Sequence, residues 1–134
     1  AYARADFMAC QHLGERLLAS QSVRAVLHGD LHPGNVICAS GGLRAFDAKG
    51  IWGEPAYELA NAFRHPRLRP EQVVDSLRIR SAAETWSAAL GCPPRRLLHW
   101  AAAKAALSLA WRAGQGLDTG LDHLLIRQLL SAGR

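Results

Sequence analysis

The chain has 134 residues, of which 49% are hydrophobic, and this is enough apolar material for one compact domain with a real core. Its net charge of +5 comes mostly from arginines scattered over helical patterns, which indicates a solvated face and argues against a nucleic-acid partner. No basic-then-apolar leader opens the sequence and no run of about eighteen apolar residues occurs, so we expect a cytoplasmic protein without a membrane partner.

Three cysteines, Cys10, Cys38 and Cys92, are odd in number and lie far apart in the sequence. None belongs to a Cys-x-x-Cys pair, which is the spacing that would hold zinc or form a redox couple. We therefore expect three free thiols, which fits a reducing cytoplasm.

The first half of the sequence predicts one helix and then short strands. Apolar residues at helical intervals predict a helix over residues 3–20, and an apolar run with two β-branched residues predicts a buried strand over residues 23–27. Two further apolar runs, residues 36–38 and 43–46, are separated by residues 39–42, whose glycines are typical of a hairpin turn. Antiparallel pairing would place the start of the first run beside the end of the second.

The second half of the sequence has helical periodicity. Its apolar stripes and its proline and glycine breaks predict helices over residues 55–64, 70–90, 97–114 and 119–130. Three tryptophans lie on the apolar faces of these helices, where core packing is their expected use: Trp86, Trp100 and Trp111.

Between the first strand and the hairpin, residues 28–35 read His-Gly-Asp-Leu-His-Pro-Gly-Asn, and Asp47 follows the hairpin. Asp30 and Asn35 match the Asp-x4-Asn spacing of a protein-kinase catalytic loop. Phosphoryl transfer needs a carboxylate beside the attacking hydroxyl, and oxygen ligands that hold magnesium against the nucleotide phosphates. The sequence therefore predicts Asp30 as the catalytic residue and Asn35 and Asp47 as magnesium ligands.

The catalytic loop is one of three segments that carry a recognisable pattern. They are residues 28–35, Phe46-Asp-Ala-Lys-Gly50 and Gly53-Glu-Pro-Ala-Tyr-Glu-Leu-Ala60. Together they resemble the aminoglycoside phosphotransferases, and within them the streptomycin 6-kinase and hydroxyurea-resistance kinase branch. The chain departs from the family pattern at Ala48, where proline is expected, and at Glu54 and Glu58, where aspartates are usual. None of these departures removes a predicted ligand.

This resemblance implies an α+β, mainly helical fold like the carboxy-terminal lobe of a protein kinase, with a short β-hairpin around the catalytic loop. It assigns residues 1–134 to that lobe, which is the catalytic-loop and substrate side of a small-molecule kinase. The implied reaction is ATP-dependent phosphorylation of a hydroxyl on an aminoglycoside-like antibiotic such as streptomycin, with Mg²⁺ as cofactor. The implied partners are a nucleotide and a small molecule that carries the hydroxyl.

Residues 1–27 do not resemble the amino-terminal lobe of such a kinase. They contain no glycine-rich loop and are too few for the several strands and the helix of that lobe. We therefore expect a lobe fragment that is inactive alone and self-associates through the apolar face left by the missing lobe. A pseudokinase remnant or an interaction module is the alternative.

A metallophosphoesterase is a further alternative. Gly29-Asp30-x-His32 matches the Asp-x-His that opens that signature, and His28, Asp30 and His32 alternate as metal ligands on a strand would. The later aspartate, asparagine and histidine ligands of such an enzyme are missing from the sequence, which makes the two-metal hydrolase the weaker hypothesis.

Three neighbours of the catalytic residues have secondary roles. His28 is expected to be a scaffold residue that hydrogen-bonds backbone and does not touch substrate. His32 has two open roles, an approach to phosphate, metal or substrate and a bond to the local backbone. Lys49 is either a partner of a carboxylate or phosphate or an ordinary solvated lysine.

The segment after Asp47 supplies the candidates for the acceptor side. Trp52 is expected to line the acceptor pocket, because it lies where a kinase activation loop would run. Glu54 and Glu58 have two open roles: they attract a cationic substrate, or they charge the start of a helix.

Overall fold

The computed structural model describes residues 2–134 and has a mainly helical α+β architecture, as predicted. Its elements are α1 (Tyr2–Ala19), β1 (Ala25–Leu27), β2 (Val36–Ala39), β3 (Gly42–Ala45), β4 (Ile51–Gly53), α2 (Pro55–Ala60), α3 (Pro70–Val73), α4 (Ser76–Leu90), α5 (Pro94–Gly114) and α6 (Gly120–Ala132). Two 3₁₀ turns, Pro33–Asn35 and Asn61–Arg64, lead into β2 and follow α2. The three cysteines are free thiols, which confirms that prediction.

Helix α5 is the centre of the core, and α1, α2, α4 and α6 pack around it. Its alanine-rich sequence lets neighbouring helices approach closely, and its buried positions cover more than half of its circumference. Those buried residues are Leu97, Leu98, Trp100, Ala101, Ala102, Ala105, Ala106 and Leu109. Within residues 2–134, no helix is both long enough and apolar enough to span a bilayer.

Four short strands form two separate antiparallel pairs. β2 and β3 make the predicted hairpin, with Val36 opposite Ala45 and with Gly41 and Gly42 at φ values of 94° and 116° in the turn. β1 pairs with β4, a strand that the sequence did not predict. This pairing returns the chain to the strand that leads into the loop over residues 28–35. Val23 lies before β1 and is exposed, so the predicted first strand was too long.

Two details of the predicted helices are wrong. The helix expected over residues 70–90 is broken between α3 and α4, because the Asp75 carboxylate accepts a 3.1 Å hydrogen bond from the Leu77 amide and caps a new helix. Leu77 therefore lies in an exposed first turn and not in the core. Trp111 is 64% exposed on α5, whereas Trp100 is buried as predicted.

An arginine cluster around Asp122 ties α6 to the segment that follows α2. Asp122 is fully buried, and its carboxylate accepts hydrogen bonds of 3.0 and 3.2 Å from Arg67. Arg112 lies 3.3 Å and Arg64 3.7 Å from the same carboxylate. Burial lowers the pKa of Arg64, and the charge of Asp122 opposes that effect. Because a buried carboxylate needs cationic partners, the cluster fixes residues 61–67 against the helical core.

Candidate active site

The loop over residues 28–35 begins with two backbone amides that are held by one carboxylate. Glu58, on α2, accepts hydrogen bonds from the amides of His28 (2.5 Å) and Gly29 (3.1 Å). Hydrogen bonds to a charged acceptor are stronger than neutral ones, so this contact anchors the start of the loop. Glu58 also lies in the first turn of α2, which confirms that it charges a helix start, one of the two roles considered for it; the contact with the loop is an additional role.

Two further side chains hold the carbonyl groups of the loop. Asn61 donates from Nδ2 to the Leu31 carbonyl at 3.2 Å. Lys104, on α5, donates from Nζ to the Gly29 carbonyl at 3.4 Å and lies 4.1 Å from the centre of the Tyr57 ring. The loop backbone is therefore bonded at both its N–H and its carbonyl groups. Sequence reasoning missed both anchors, although a lysine within a buried, alanine-rich helix is an available signal.

Asn35 closes the loop, and within residues 2–134 its side-chain oxygen has no hydrogen-bond partner. Its side chain is buried, and its Nδ2 donates to the Asp30 carbonyl at 3.0 Å. The amide of Asn35 donates to the His32 carbonyl at 2.9 Å, which completes the 3₁₀ turn. Because the nitrogen of the side-chain amide is used inside the loop, its oxygen is the atom left to bind a ligand.

His32 is oriented towards Asp30 by a bond inside the loop. Its Nδ1 accepts a 3.0 Å hydrogen bond from the Gly34 amide, so a neutral ring carries its proton on Nε2. That Nε2 lies 3.9 Å from an Asp30 carboxylate oxygen, and the Asp30 side chain remains 41% exposed. Gly34 is required for this fit, because a Cβ there would lie 2.9 Å from the imidazole of His32. Of the two roles left open for His32, the structure shows the bond to local backbone.

His65 lies behind His32. The two rings stack with their centroids 5.6 Å apart. Burial lowers the pKa of His65 to about 4, and the positive charge of Arg64 adds to this effect. His65 is therefore an uncharged ring at neutral pH, and it supports the ring of His32 by packing.

His28 links the loop to the segment that carries Asp47. Its Nδ1 accepts from the Asp30 amide at 3.3 Å, and its Nε2 lies 2.6 Å from the Phe46 carbonyl, to which a neutral ring donates. The His28 carbonyl accepts from the amides of Lys49 (2.7 Å) and Gly50 (3.3 Å). The predicted hydrogen bonds of His28 to the backbone are confirmed, and the absence of a contact with substrate stays a prediction.

Asp47 follows the hairpin in an unusual backbone conformation. Its φ is 57°, in the left-handed region that aspartate tolerates better than most residues. The Phe46 amide donates to the Asn35 carbonyl at 3.0 Å, so Asp47 is the next residue after a direct backbone contact with Asn35. The Asp47 side chain is 60% exposed and lies 3.4 Å from Lys49 Nζ. An exposed pair of this kind contributes little to stability.

The carboxylate of Glu54 is paired with an arginine inside the protein. It is buried, and Arg96 donates to its two carboxylate oxygens at 2.5 and 2.6 Å. The Glu54 amide donates to Gln21 Oε1 at 3.0 Å, which fastens the start of α2 to the end of α1. A carboxylate with both oxygens occupied is not available to attract a cationic substrate.

Trp52 lies on β4 with 66% of its side chain exposed, and it lines a cavity between α1 and α5. The wall of that cavity contains none of the three predicted site residues, Asp30, Asn35 and Asp47. Its role in an acceptor pocket stays a prediction.

A two-metal hydrolase receives no support from this geometry. Within residues 2–134, no group of three or more histidine, cysteine, aspartate or glutamate side chains could hold a metal ion. Both ring nitrogens of His28 and Nδ1 of His32 are also hydrogen-bonded inside the loop and the adjoining segment.

Comparison with known proteins identifies relatives of the chain. Residues 1–116 match the family described as aminoglycoside/hydroxyurea antibiotic resistance kinase. The chain is 36% identical over 109 residues to the streptomycin 3''-kinase of Klebsiella pneumoniae, and this alignment covers 78% of the chain and 41% of the relative. The chain thus spans about two fifths of the length of that curated relative. No solved structure matches the chain.

Proposed function

The chain belongs to the aminoglycoside/hydroxyurea antibiotic resistance kinase family, and we propose that the whole protein is an ATP-dependent phosphotransferase for a hydroxyl group of an aminoglycoside-like antibiotic. Streptomycin is the named substrate of a relative, and the chemical class follows from that name. In this proposal the reaction takes place in the cytoplasm, where ATP is available.

The main observation behind this proposal is that the loop fixes the backbone of Asp30 but leaves its carboxylate accessible. The backbone amide and carbonyl of Asp30 are both bonded within the loop, to His28 and to Asn35. Its carboxylate is partly exposed, and among the described residues its one charged neighbour within 4 Å is His32, at 3.9 Å. A fixed backbone with an accessible carboxylate is the arrangement needed to orient a hydroxyl and accept its proton.

Asn35 and Asp47 fit a magnesium ion by the chemistry of their donor atoms. One offers a neutral amide oxygen and the other an exposed carboxylate, and Mg²⁺ prefers oxygen ligands. Two protein ligands are few for a dedicated cage, but they are typical of a Mg²⁺ that keeps water and binds nucleotide phosphates. When bound, the metal supplies positive charge that stabilises the transferring phosphoryl group.

The chain itself contributes to the reaction through Asp30 and the groups that hold it. In this proposal, Asp30 orients the acceptor hydroxyl and takes its proton as the bond to phosphorus forms. Positioning matters more than basicity when the transition state is loose. The anchors of the loop therefore serve catalysis by limiting the movement of one carboxylate.

We assign residues 1–134 to the carboxy-terminal lobe of a protein-kinase-like enzyme. The β2–β3 hairpin supports this, because apolar side chains on both of its faces are exposed, among them Ile37, Leu43 and Phe46. We propose that an amino-terminal lobe covers this surface and completes the nucleotide cleft. In its absence the same surface promotes self-association, which sedimentation velocity of the chain and of a Leu43→Lys variant would measure.

The functional test uses the whole protein with a panel of aminoglycosides. Asp30→Ala should lower kcat by about 10²- to 10⁴-fold while nucleotide binding stays nearly unchanged, since Asp30 faces the acceptor. Asp47→Ala should lower kcat and also weaken binding of the magnesium–nucleotide complex. Asp75→Ala, the same chemical change at a helix cap, is the control and should leave kcat within about twofold.

One outcome would favour the alternative of a kinase remnant or an interaction module. It is an intact protein that consumes no nucleotide with any aminoglycoside or other small alcohol in the panel. Wild-type turnover by both Asp30→Ala and Asp47→Ala would also remove the proposed mechanism.

A further inference from the structure

The side chain of Asn61 lies between the loop over residues 28–35 and Arg64. Asn61 is buried, with 2% of its surface exposed. Its Nδ2 donates to the Leu31 carbonyl at 3.2 Å, and its Oδ1 accepts a hydrogen bond from Arg64 Nη1 at 3.1 Å. The two ends of one amide group are therefore bonded to the residue after Asp30 and to a cation.

These two partners allow only one orientation of the Asn61 amide. A guanidinium group only donates hydrogen bonds, and a backbone carbonyl only accepts them. A flipped amide would place its N–H groups against Arg64 and its oxygen against the Leu31 carbonyl, and both contacts would be repulsive. Arg64 therefore selects the orientation in which Asn61 can hold the loop.

Arg64 is not needed to neutralise the buried carboxylate of Asp122. That carboxylate accepts two hydrogen bonds from Arg67, and Arg112 lies 3.3 Å from it. Arg64 approaches the same carboxylate only to 3.7 Å. Because three arginines surround one carboxylate, the loss of Arg64 would not leave Asp122 as an unpaired buried charge.

The burial of Arg64 is costly for the fold. Only 14% of its side chain is exposed, and within residues 2–134 its buried Nε has no hydrogen-bond partner. A buried cation with an unbonded N–H destabilises a protein unless other contacts compensate. The bond of Arg64 to Asn61 is shorter than its approach to Asp122, so its closest polar contact serves the side chain that holds the loop.

We propose that Arg64 is a positioning residue for phosphoryl transfer, which fixes the Asn61 amide, through it the Leu31 carbonyl, and thereby the carboxylate of Asp30. The inference rests on the proposed function and extends it to a residue outside the loop. Small displacements of an aligned catalytic group lower turnover even when ligands still bind. Arg64 should therefore affect kcat and leave the KM for the magnesium–nucleotide complex nearly unchanged.

Asn61→Asp tests the bond to the loop with little change of shape. The variant replaces the Nδ2 donor by an oxygen, while its carboxylate still accepts from Arg64. The surplus positive charge of the arginine cluster should stabilise the new carboxylate, so the protein should fold. In the whole protein with the aminoglycoside panel, kcat should fall about 10- to 100-fold and the KM for MgATP should stay within about twofold.

Arg64→Met and Arg67→Met separate positioning from stability, because they make the same chemical change in one cluster. Arg64→Met frees the Asn61 amide to flip and should lower kcat about tenfold, with a small shift of the urea midpoint. Arg67→Met removes two hydrogen bonds from Asp122 and should shift the midpoint further. It should nevertheless leave kcat within about twofold at a temperature where both variants are folded.

The side-chain amide of Asn61 gives a readout that does not depend on activity. In the whole protein labelled with nitrogen-15 at asparagine, its N–H signals are identified by their loss in Asn61→Asp. Their hydrogen exchange should be at least about tenfold faster in Arg64→Met than in the parent, and nearly unchanged in Arg67→Met.

The outcomes distinguish this role of Arg64 from the proposed function. An active parent whose Asn61→Asp or Arg64→Met variant keeps the parent kcat overturns the role and leaves the proposed function intact. Losses of kcat that follow the losses of stability in Arg64→Met and Arg67→Met would also overturn it, since they would mark a purely structural cluster. A parent protein that consumes no nucleotide refutes the proposed function, and the role of Arg64 falls with it.

Discussion

The two halves of the candidate site differ in how they are held. The backbone of the loop that carries Asp30 is hydrogen-bonded to the side chains of Glu58, Asn61 and Lys104. These three residues lie on α2, on the following 3₁₀ turn and on α5. The segment that carries Asp47 is bonded mainly to His28 and is otherwise exposed.

This difference shows which part of the site the chain builds by itself. The Asp30 half is anchored to the helical core, so its geometry depends on the stability of this domain. The Asp47 half lies on an exposed hairpin whose apolar surface has no cover among residues 2–134. In the proposed kinase, the metal side of the site therefore lies on the less firmly anchored part of the chain.

The largest effect is expected when the charge of Asp122 is removed, because this residue centres the arginine cluster that fixes residues 61–67. Asp122→Asn leaves three arginines around an uncharged amide and should lower the free energy of unfolding by about 3–5 kcal/mol in a urea titration. Asp6→Asn, which breaks the more exposed pair with Arg127, is the control and should cost less than about 1 kcal/mol. Equal losses from the two variants would contradict the role of the cluster.

Removal of the carboxylate that holds the loop tests the contrast directly. Glu58→Ala leaves two backbone amides without a charged acceptor and should cost about 2–4 kcal/mol. Hydrogen exchange should accelerate at the amides of His28 and Gly29. Glu71→Ala, at an exposed glutamate, should change neither quantity. A Glu58→Ala variant with protected amides would show that the loop has other supports.

A pH titration should also affect the anchored half. The pKa of His65 is lowered from 6.5 to about 4, so folding favours its neutral form. The resulting stability is present above pH 6.5 and is lost as the pH falls from there towards 4. After allowance for solvent exposure we expect a loss of about 1–2 kcal/mol. His65→Phe, which keeps the stack on His32, should flatten this part of the profile; an unchanged slope would rule out His65 as the cause.

The smallest change in the free energy of unfolding is expected for a substitution of Asp47, in the exposed half of the site. Asp47→Asn keeps a residue that tolerates a positive φ and removes only an exposed pair with Lys49. The free energy of unfolding should change by less than about 0.5 kcal/mol, as measured by urea titration. A loss comparable to that of Glu58→Ala would mean that both halves are built into the core.

The features predicted from the sequence are those whose cause is local. The hairpin follows from Gly41 and Gly42 between two apolar runs, and the loop motif lies in eight consecutive residues, 28–35. Strand β4 was missed because three residues carry almost no periodicity and its partner, β1, lies far back in the chain. The split between α3 and α4 was missed because Asp75 lies within a continuous apolar pattern.

The anchors of the site could not be predicted for a different reason. Glu58 and Asn61 bond to residues 30 positions earlier, and Lys104 to a residue 75 positions earlier. A single sequence shows that such residues are polar within apolar stripes, but it does not show which groups they meet. Asp122, between leucines of α6, is the same case: its polarity is visible in the sequence and its arginine partners are not.

The direction of these anchors has a consequence for biosynthesis. Glu58, Asn61 and Lys104 all come after the loop in the chain, so the loop leaves the ribosome before any residue that can hold it. Because the chain emerges from its amino-terminal end, residues 28–31 remain without their full set of anchors until Lys104 has also emerged. The loop over residues 28–35 is therefore among the last parts of this domain to gain its full set of anchors during translation, although it lies in the first third of the sequence.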